Sequence, residues 1–219
     1  MLKAVLFDMD GVIVDTEPLH HKAYHSMFSD FGLNVTTEHY ESFTGQSTKN
    51  VCKALCTHFG LDEDPVDLEL TKRKHFNSLF DTDNSLQLLD GVYELIKDYH
   101  DNEITLVLAS SASRSTINKV FDKFDLDKYF KAKISGAELK ASKPHPEIFL
   151  RAAELSGHDK KNCIVIEDST NGILAANAAD IFCVGYDSKH SKNQDYSKAN
   201  KVISSFNEIN YEVSKYFFE

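Results

Sequence analysis

The chain has 219 residues, 42% hydrophobic and 26% charged, with 34 Asp plus Glu against 24 Lys plus Arg. That balance suits a folded globular protein with a substantial core and excludes a disordered chain. The net charge of −10 argues against a broad basic face for nucleic acid or an anionic membrane, and an anionic substrate would need cations gathered locally.

In chain order, residues 3–7 form a short β-rich run that turns acidic at Asp8, too early for the apolar stretch of a secretion signal. No later run approaches the roughly 20 apolar residues of a membrane helix, so a cytoplasmic protein is expected. The first strand leads into Asp8-Met9-Asp10-Gly11-Val12. Ligand sites of open parallel sheets lie beyond the carboxyl ends of the strands. A spacing of two puts Asp8 and Asp10 on one side of extended chain, and Gly11 permits a sharp exit. Two carboxylates this close call for a cation or a proton between them. Taken alone, the motif equally suits a solvated turn, where Asp and Gly are common.

Residues 16–84 show no strand pattern but several helical ones. Pro18 suits a first helical turn after Thr16, Leu19, Ala23, Met27 and Phe31 recur four apart, and Gly32 suits the C-cap. His21 and His25 lie one turn apart and could share a metal ion, against the plainer reading of a solvated helix face. Helical patterns over 48–59 and 65–80 follow. The Lys72-Arg73-Lys74 run in the second reads either as a cationic cluster or as a solvated face. The chain returns to strand-and-helix alternation near Leu86.

A second strand, 104–109, leads into Ser110-Ser111 and a helix over 113–124. Hydroxyls and free N–H groups at a helix start can seat a phosphate, and serve as routine caps just as well. Lys143 precedes a helix over 145–156 that Pro144 and Pro146 would open, so it either points back toward the strand ends or lies on the surface. The strand 163–166 leads into Glu167-Asp168, oxygen donors of the kind Mg²⁺ takes while keeping some water. A helix over 171–178 and a strand over 181–185 complete the pattern. The expected fold is α/β, with a Rossmann-like doubly wound parallel sheet as its core (1–15 and 86–219) and an inserted all-helical cap domain (16–85). Cys52, Cys56, Cys163 and Cys183 match neither a zinc spacing nor a disulfide framework and read as small apolar side chains.

A carboxylate pair, a hydroxyl pair, a lysine and a second carboxylate pair thus occupy the ends of separate strands. Together they supply a nucleophile, an acid/base, donors for phosphate oxygens and a metal seat, the inventory of phosphoryl transfer.

In this order, and over essentially the whole chain, the motifs resemble the haloacid dehalogenase superfamily, most closely its β-phosphoglucomutase-like branch of phosphatases and phosphomutases. The resemblance implies that Asp8 is the nucleophile that becomes an aspartyl-phosphate and Asp10 the acid/base. It implies that Ser110, Ser111 and Lys143 hold the transferring phosphoryl. It places Mg²⁺ on Asp8, the Asp10 backbone carbonyl and Asp168, with Glu167 ligating the metal or steadying the site. Substrate contacts would come from the cap, through a loop carrying Gly45, Ser47 and Lys49, through Lys74 of the basic run, and through His20, which stands where the mutases carry a histidine against the acid/base. Glu17-Pro18-Leu19 is more similar to the sugar-phosphate phosphatases. Lys49 stands where the mutases have an arginine, and lysine lacks the bidentate fork that grips a second phosphate, though Lys74 could compensate. Asp90 and Asp180 also depart from the family pattern, without functional consequence.

The implied function is Mg²⁺-dependent hydrolysis of a small phosphorylated metabolite, a sugar phosphate, by a monomer with no nucleic-acid or membrane partner. The alternative is a β-phosphoglucomutase interconverting β-glucose 1-phosphate and glucose 6-phosphate. A non-catalytic binding module is the third reading, disfavoured because every core position carries a competent residue.

Overall fold

Strand β1 (Ala4–Phe7) is apolar and buried at every position, as a central strand covered on both faces must be. After it come four helices, α1 (Glu17–Asp30), α2 (Thr37–Glu41), α3 (Thr48–Phe59) and α4 (Pro65–Thr82). The chain then alternates through α5 (Val92–Asp101), β2 (Thr105–Ser110), α6 (Arg114–Phe124), β3 (Phe130–Ser135), α7 (Glu147–Ser156), β4 (Cys163–Glu167), α8 (Thr170–Ala178), β5 (Phe182–Tyr186), β6 (Lys201–Ile203) and a short α9 (Tyr211–Ser214). The structure is a computed structural model and describes residues 1–43, 46–82, 86–188 and 193–218. Contacts divide the chain into two compact units, Met1–Asp15 with Gln87–Glu219, and Thr16–Leu86.

In the first unit, the described strands form one parallel sheet in the order β3-β2-β1-β4-β5-β6. Leu6 is level with Val107 on one side and Val165 on the other. The chain builds outward from β1 to β3 and then crosses back to β4, so the ends of β1 and β4 flank the point where connections diverge, the place such sheets bind ligands. Helices α7 and α8 cover one face, where Leu6, Val107, Phe149, Ala152, Val165 and Ile173 share a core. On the opposite face, Phe7 meets Tyr99 of α5 at 6.4 Å and Phe130 at 5.8 Å, and Phe130 meets Phe121 of α6 at 5.0 Å. This is the expected doubly wound α/β architecture. Helix α7 begins at Glu147 rather than 145, with Pro146 as its N-cap.

Helix α5 and strands β3 and β6 extend beyond the expected elements. In β3, Lys131 is exposed and Lys133 half-buried, and charged residues of this kind protect an edge strand while hiding its apolar alternation.

The second unit is helical, with Tyr24, Met27, Phe28, Tyr40, Val51, Leu55 and Leu68 in its core. All four cysteines are buried and unpaired. Among the described residues, no helix is long and apolar enough to cross a membrane.

Candidate active site

The Asp8 N–H extends the β1–β4 ladder by donating to the Ile166 carbonyl at 3.0 Å. Beyond it the chain coils tightly, with the N–H groups of Ile13 and Val14 converging on the Met9 carbonyl at 2.8 and 3.1 Å. Gly11 makes the turn at φ +84°, and a Cβ there would lie 2.1 Å from Asp168 Oδ2. Glycine is therefore required twice over, for the left-handed backbone and for the approach of the Asp168 carboxylate. Asp8 and Asp168 are both buried, and Asp10 is half-buried beside them in sequence. From the end of β2, the buried Ser110 Oγ donates to Asp10 Oδ2 over a long 3.4 Å and accepts the Ala112 N–H at 3.0 Å. Ser111 is exposed, so Ser110 is the hydroxyl of the pair that reaches the acid.

Lys143 enters ahead of α7 and is 9% exposed. Its Nζ donates to Asp8 Oδ1 at 2.5 Å, Glu167 Oε1 at 2.7 Å and the Ala109 carbonyl at 3.1 Å. The Phe149 ring lies beneath it, 4.8 Å away. The other oxygen of Glu167 accepts the Ser169 N–H at 2.7 Å and the Ser169 hydroxyl at 2.9 Å. A Cβ at Gly172 would overlap the Glu167 carboxylate at 1.7 Å, so the first turn of α8 has room for that acid only because residue 172 has no side chain.

One ammonium thus serves two buried carboxylates. Burial pushes the Asp8 carboxyl up to about 7, helped by the charges of Glu167 and Asp10 and opposed by Lys143. For Lys143, burial acts to lower the pKa, but the Asp8 and Glu167 carboxylates outweigh it and hold the ammonium above its ordinary value. The cation is therefore secure, and the negative charge around it is in excess. A surplus of this kind in a desolvated site is costly unless a further cation or a proton neutralises it.

The donor set tests which cation would fit. Among the described residues, no group of three or more His, Cys, Asp or Glu side chains is arranged to hold a metal ion, so any metal here would rest on fewer side chains together with backbone oxygen and water. What lies together are hard oxygens, with Asp168 pressed on the loop that carries Asp8 and Asp10. One or two carboxylates and open positions for water are what Mg²⁺ takes, in contrast to a closed zinc or calcium cage. The residues present fit Mg²⁺.

In the helical unit, the expected basic run resolves into three different environments. Lys72 is 2% exposed, Arg73 pairs with Glu69 at 2.5 Å, and Lys74 is exposed. Lys72 Nζ lies 2.6 Å from His20 Nδ1 and over the rings of Tyr24 (4.7 Å) and Phe76 (5.0 Å). The His20 ring stacks on Phe76 at 4.4 Å. An ammonium has no lone pair, so Nδ1 accepts and a neutral His20 carries its proton on Nε2. Neither a uniform solvated face nor Lys74 describes this cluster, because the buried cation is Lys72. A signal for it was present: Lys72 interrupts Leu68, Phe76 and Phe80, a buried stripe with spacing four.

The remaining cap candidates are dispersed. Ser47 Oγ accepts the Asn50 N–H at 3.3 Å and so caps α3, and Lys49 is exposed in its first turn. Gly45 lies outside the described residues. The His21 and His25 rings lie 4.2 Å apart on an exposed face, tilted at 39° to one another, and no third ligand joins them among the described residues.

The family model for haloacid dehalogenase-like hydrolases matches residues 5–186. The chain is 30% identical over 184 residues to a phosphorylated carbohydrates phosphatase of Thermotoga maritima, covering 82% of each protein. It is 30% identical over 176 residues to a fructose-1-phosphate phosphatase of Escherichia coli, covering 80% of this chain and 91% of the other. The crystal structure of a β-phosphoglucomutase from Clostridium difficile superposes with a TM-score of 0.84 at 31% identity, covering 100% of this chain and 97% of that one.

Proposed function

The chain belongs to the haloacid dehalogenase-like hydrolases, and from that premise we propose that it is a Mg²⁺-dependent phosphatase of small phosphorylated sugars that works through an aspartyl-phosphate on Asp8. The observation that carries this reading is the Lys143 ammonium bridging Asp8 and Glu167 at the carboxyl ends of β1 and β4, with Asp168 packed on Gly11. A carboxylate approaching a phosphate dianion meets like-charge repulsion. Lys143 offsets it with its charge and its bond to Asp8, and turns to an incoming phosphoryl oxygen the N–H it otherwise gives to the Ala109 carbonyl. Asp8, Asp168 and the Asp10 backbone carbonyl would hold Mg²⁺, whose charge would stabilise the transferring phosphoryl group and favour ionised Asp8. Asp10 protonates the leaving oxygen and then takes a proton from the attacking water. The Ser110 hydroxyl orients the Asp10 carboxyl in the resting site and turns its single proton to a phosphate oxygen when substrate binds. Glu167, held by Ser169 and Lys143, steadies the cation.

The relatives named as sugar phosphatases support the substrate class. The test is phosphate release from a panel of sugar phosphates with Mg²⁺, comparing wild type with Asp8→Asn. Turnover by wild type and none by the variant is expected; no turnover on any ester, or equal behaviour of the two proteins, overturns the reading.

A second reading has its own support. The pairing of half-buried His20 with buried Lys72 and the 31% identity to a β-phosphoglucomutase across the whole chain favour a sugar hydroxyl as acceptor in place of water. Supplying β-glucose 1-phosphate with catalytic bisphosphate distinguishes the two. Formation of glucose 6-phosphate faster than release of inorganic phosphate identifies the mutase.

A further inference from the structure

The connection from β5 to β6 is tied to the loop that carries Asp168 by three hydrogen bonds from three successive residues. Gln194 Oε1 accepts the Thr170 N–H at 2.7 Å, the Asp195 N–H donates to Thr170 Oγ1 at 2.7 Å, and the Tyr196 hydroxyl donates to the Asp168 carbonyl at 3.0 Å. The Tyr196 ring reaches that carbonyl by crossing β5 at Gly185, where a Cβ would stand 3.0 Å from Tyr196 Cδ1. Gly185 is level with Glu167 in the β4–β5 ladder, so the ring crosses one residue short of Asp168. The far end of the connection is anchored on β5 as well, with Asn200 bonded to the backbone of Cys183 through both its amide N–H (2.9 Å) and its side chain (2.8 Å).

We propose that Tyr196, seconded by Gln194, is a positioning residue for the metal-binding carboxylate of Asp168. The proposal rests on the reading of Asp168 as a Mg²⁺ ligand given above. The Asp168 carbonyl belongs to the peptide unit that leaves the Asp168 Cα, and the Thr170 N–H to the next unit along. Fixing both from outside the loop holds that carboxylate against Gly11 before metal arrives. A backbone carbonyl can only accept, so the phenol hydroxyl is the donor, and phenylalanine at 196 keeps the ring while deleting the bond. Groups that orient a metal ligand in this way typically change metal affinity by about 10–100-fold when removed. A merely structural strap would change stability instead.

The test uses the full chain. Mg²⁺ binding is read from the metal-dependent thermal shift, and Mg²⁺ dependence from hydrolysis of p-nitrophenyl phosphate, for wild type, Tyr196→Phe and Gln194→Leu. Tyr196→Phe is expected to raise half-saturating Mg²⁺ by about tenfold in both measurements, with a smaller loss in kcat at saturating metal. Half-saturation within about twofold of wild type in both, whatever happens to the melting temperature, overturns the proposal. Should Tyr196→Phe not fold, Gln194→Leu decides by the same criterion. Absence of any Mg²⁺ response in wild type would refute the metal reading, and this proposal with it, before a variant is compared. A wild-type response matched by both variants refutes this proposal alone.

Discussion

Lys143→Met exchanges the buried ammonium for an apolar side chain of similar length. Three donated hydrogen bonds vanish together, to Asp8 (2.5 Å), Glu167 (2.7 Å) and the Ala109 carbonyl (3.1 Å). Hydrogen bonds to charged groups contribute about 1.5–3 kcal/mol each, and removing one partner of a buried pair costs about 3–5 kcal/mol. The cost must depend on pH, because a proton can replace the missing cation. Burial already holds Asp8 up to about 7 against a reference of 3.8, with Lys143 pulling it down, so deleting Lys143 raises it further. A carboxyl whose folded pKa is raised binds its proton more tightly folded than unfolded. Its stabilising proton is therefore present at low pH and lost as pH climbs through the window between the two values. The variant is expected to be destabilised by about 3–5 kcal/mol near pH 8 and by clearly less near pH 5. Urea unfolding in EDTA, followed by far-ultraviolet ellipticity at the two pH values, reads both quantities. A deficit below about 1 kcal/mol near pH 8, or one that does not shrink on acidification, refutes the shared-ammonium argument. Phosphate release should fall by about 10²–10³-fold, as for loss of one transition-state donor.

Asp8→Asn removes a carboxylate that burial disfavours, so the metal-free protein should gain about 1–3 kcal/mol near pH 8 while losing turnover; lower stability in urea would count against the excess of acid. Gly11→Ala places a Cβ 2.1 Å from Asp168 Oδ2 at φ +84°. It should cost about 1–3 kcal/mol and raise the Mg²⁺ requirement, and wild-type values in both assays would contradict the close approach. Lys72→Met keeps the packing against Tyr24 and Phe76 but deletes the donor to His20. Urea unfolding should show it destabilised by about 1–3 kcal/mol, because the partners of a buried donor are left unpaired, and kcat/KM for a sugar phosphate should drop by about tenfold; unchanged kcat/KM would leave the pair a packing feature only.

What could be read along the chain was local. The strands that carry Asp8, Ser110, Glu167 and Asp168 announce themselves as apolar runs that end abruptly in polar residues, because a buried parallel strand must stop being apolar where it leaves the sheet. Elements whose pattern mixes signals were harder to read. Strand β3 alternates apolar residues with Lys131 and Lys133 because it lies on an edge. In α4 the buried cation shows along the chain only as Lys72 standing in the apolar stripe of Leu68, Phe76 and Phe80, while the rings it packs on or bonds, Tyr24 and His20, lie on another helix. Tyr196 had no signal at all, as its partner lies 28 residues away and is a backbone atom.

The sequence by itself determined the α/β class, the helical insertion, and the kinds of group at each strand end, since periodicity and turn chemistry act over a few neighbouring residues. Only the tertiary structure decided that Lys143 and Asp8, 135 positions apart, meet in a buried site and share one ammonium with Glu167. It likewise decided that Ser110 rather than Ser111 faces Asp10, and that Lys72 rather than Lys74 is the buried cation. Charge interactions and desolvation depend on distance through space and on exclusion of water. Both arise only when remote segments pack, so a chain with a net charge of −10 can still place a secured cation where a phosphate would bind.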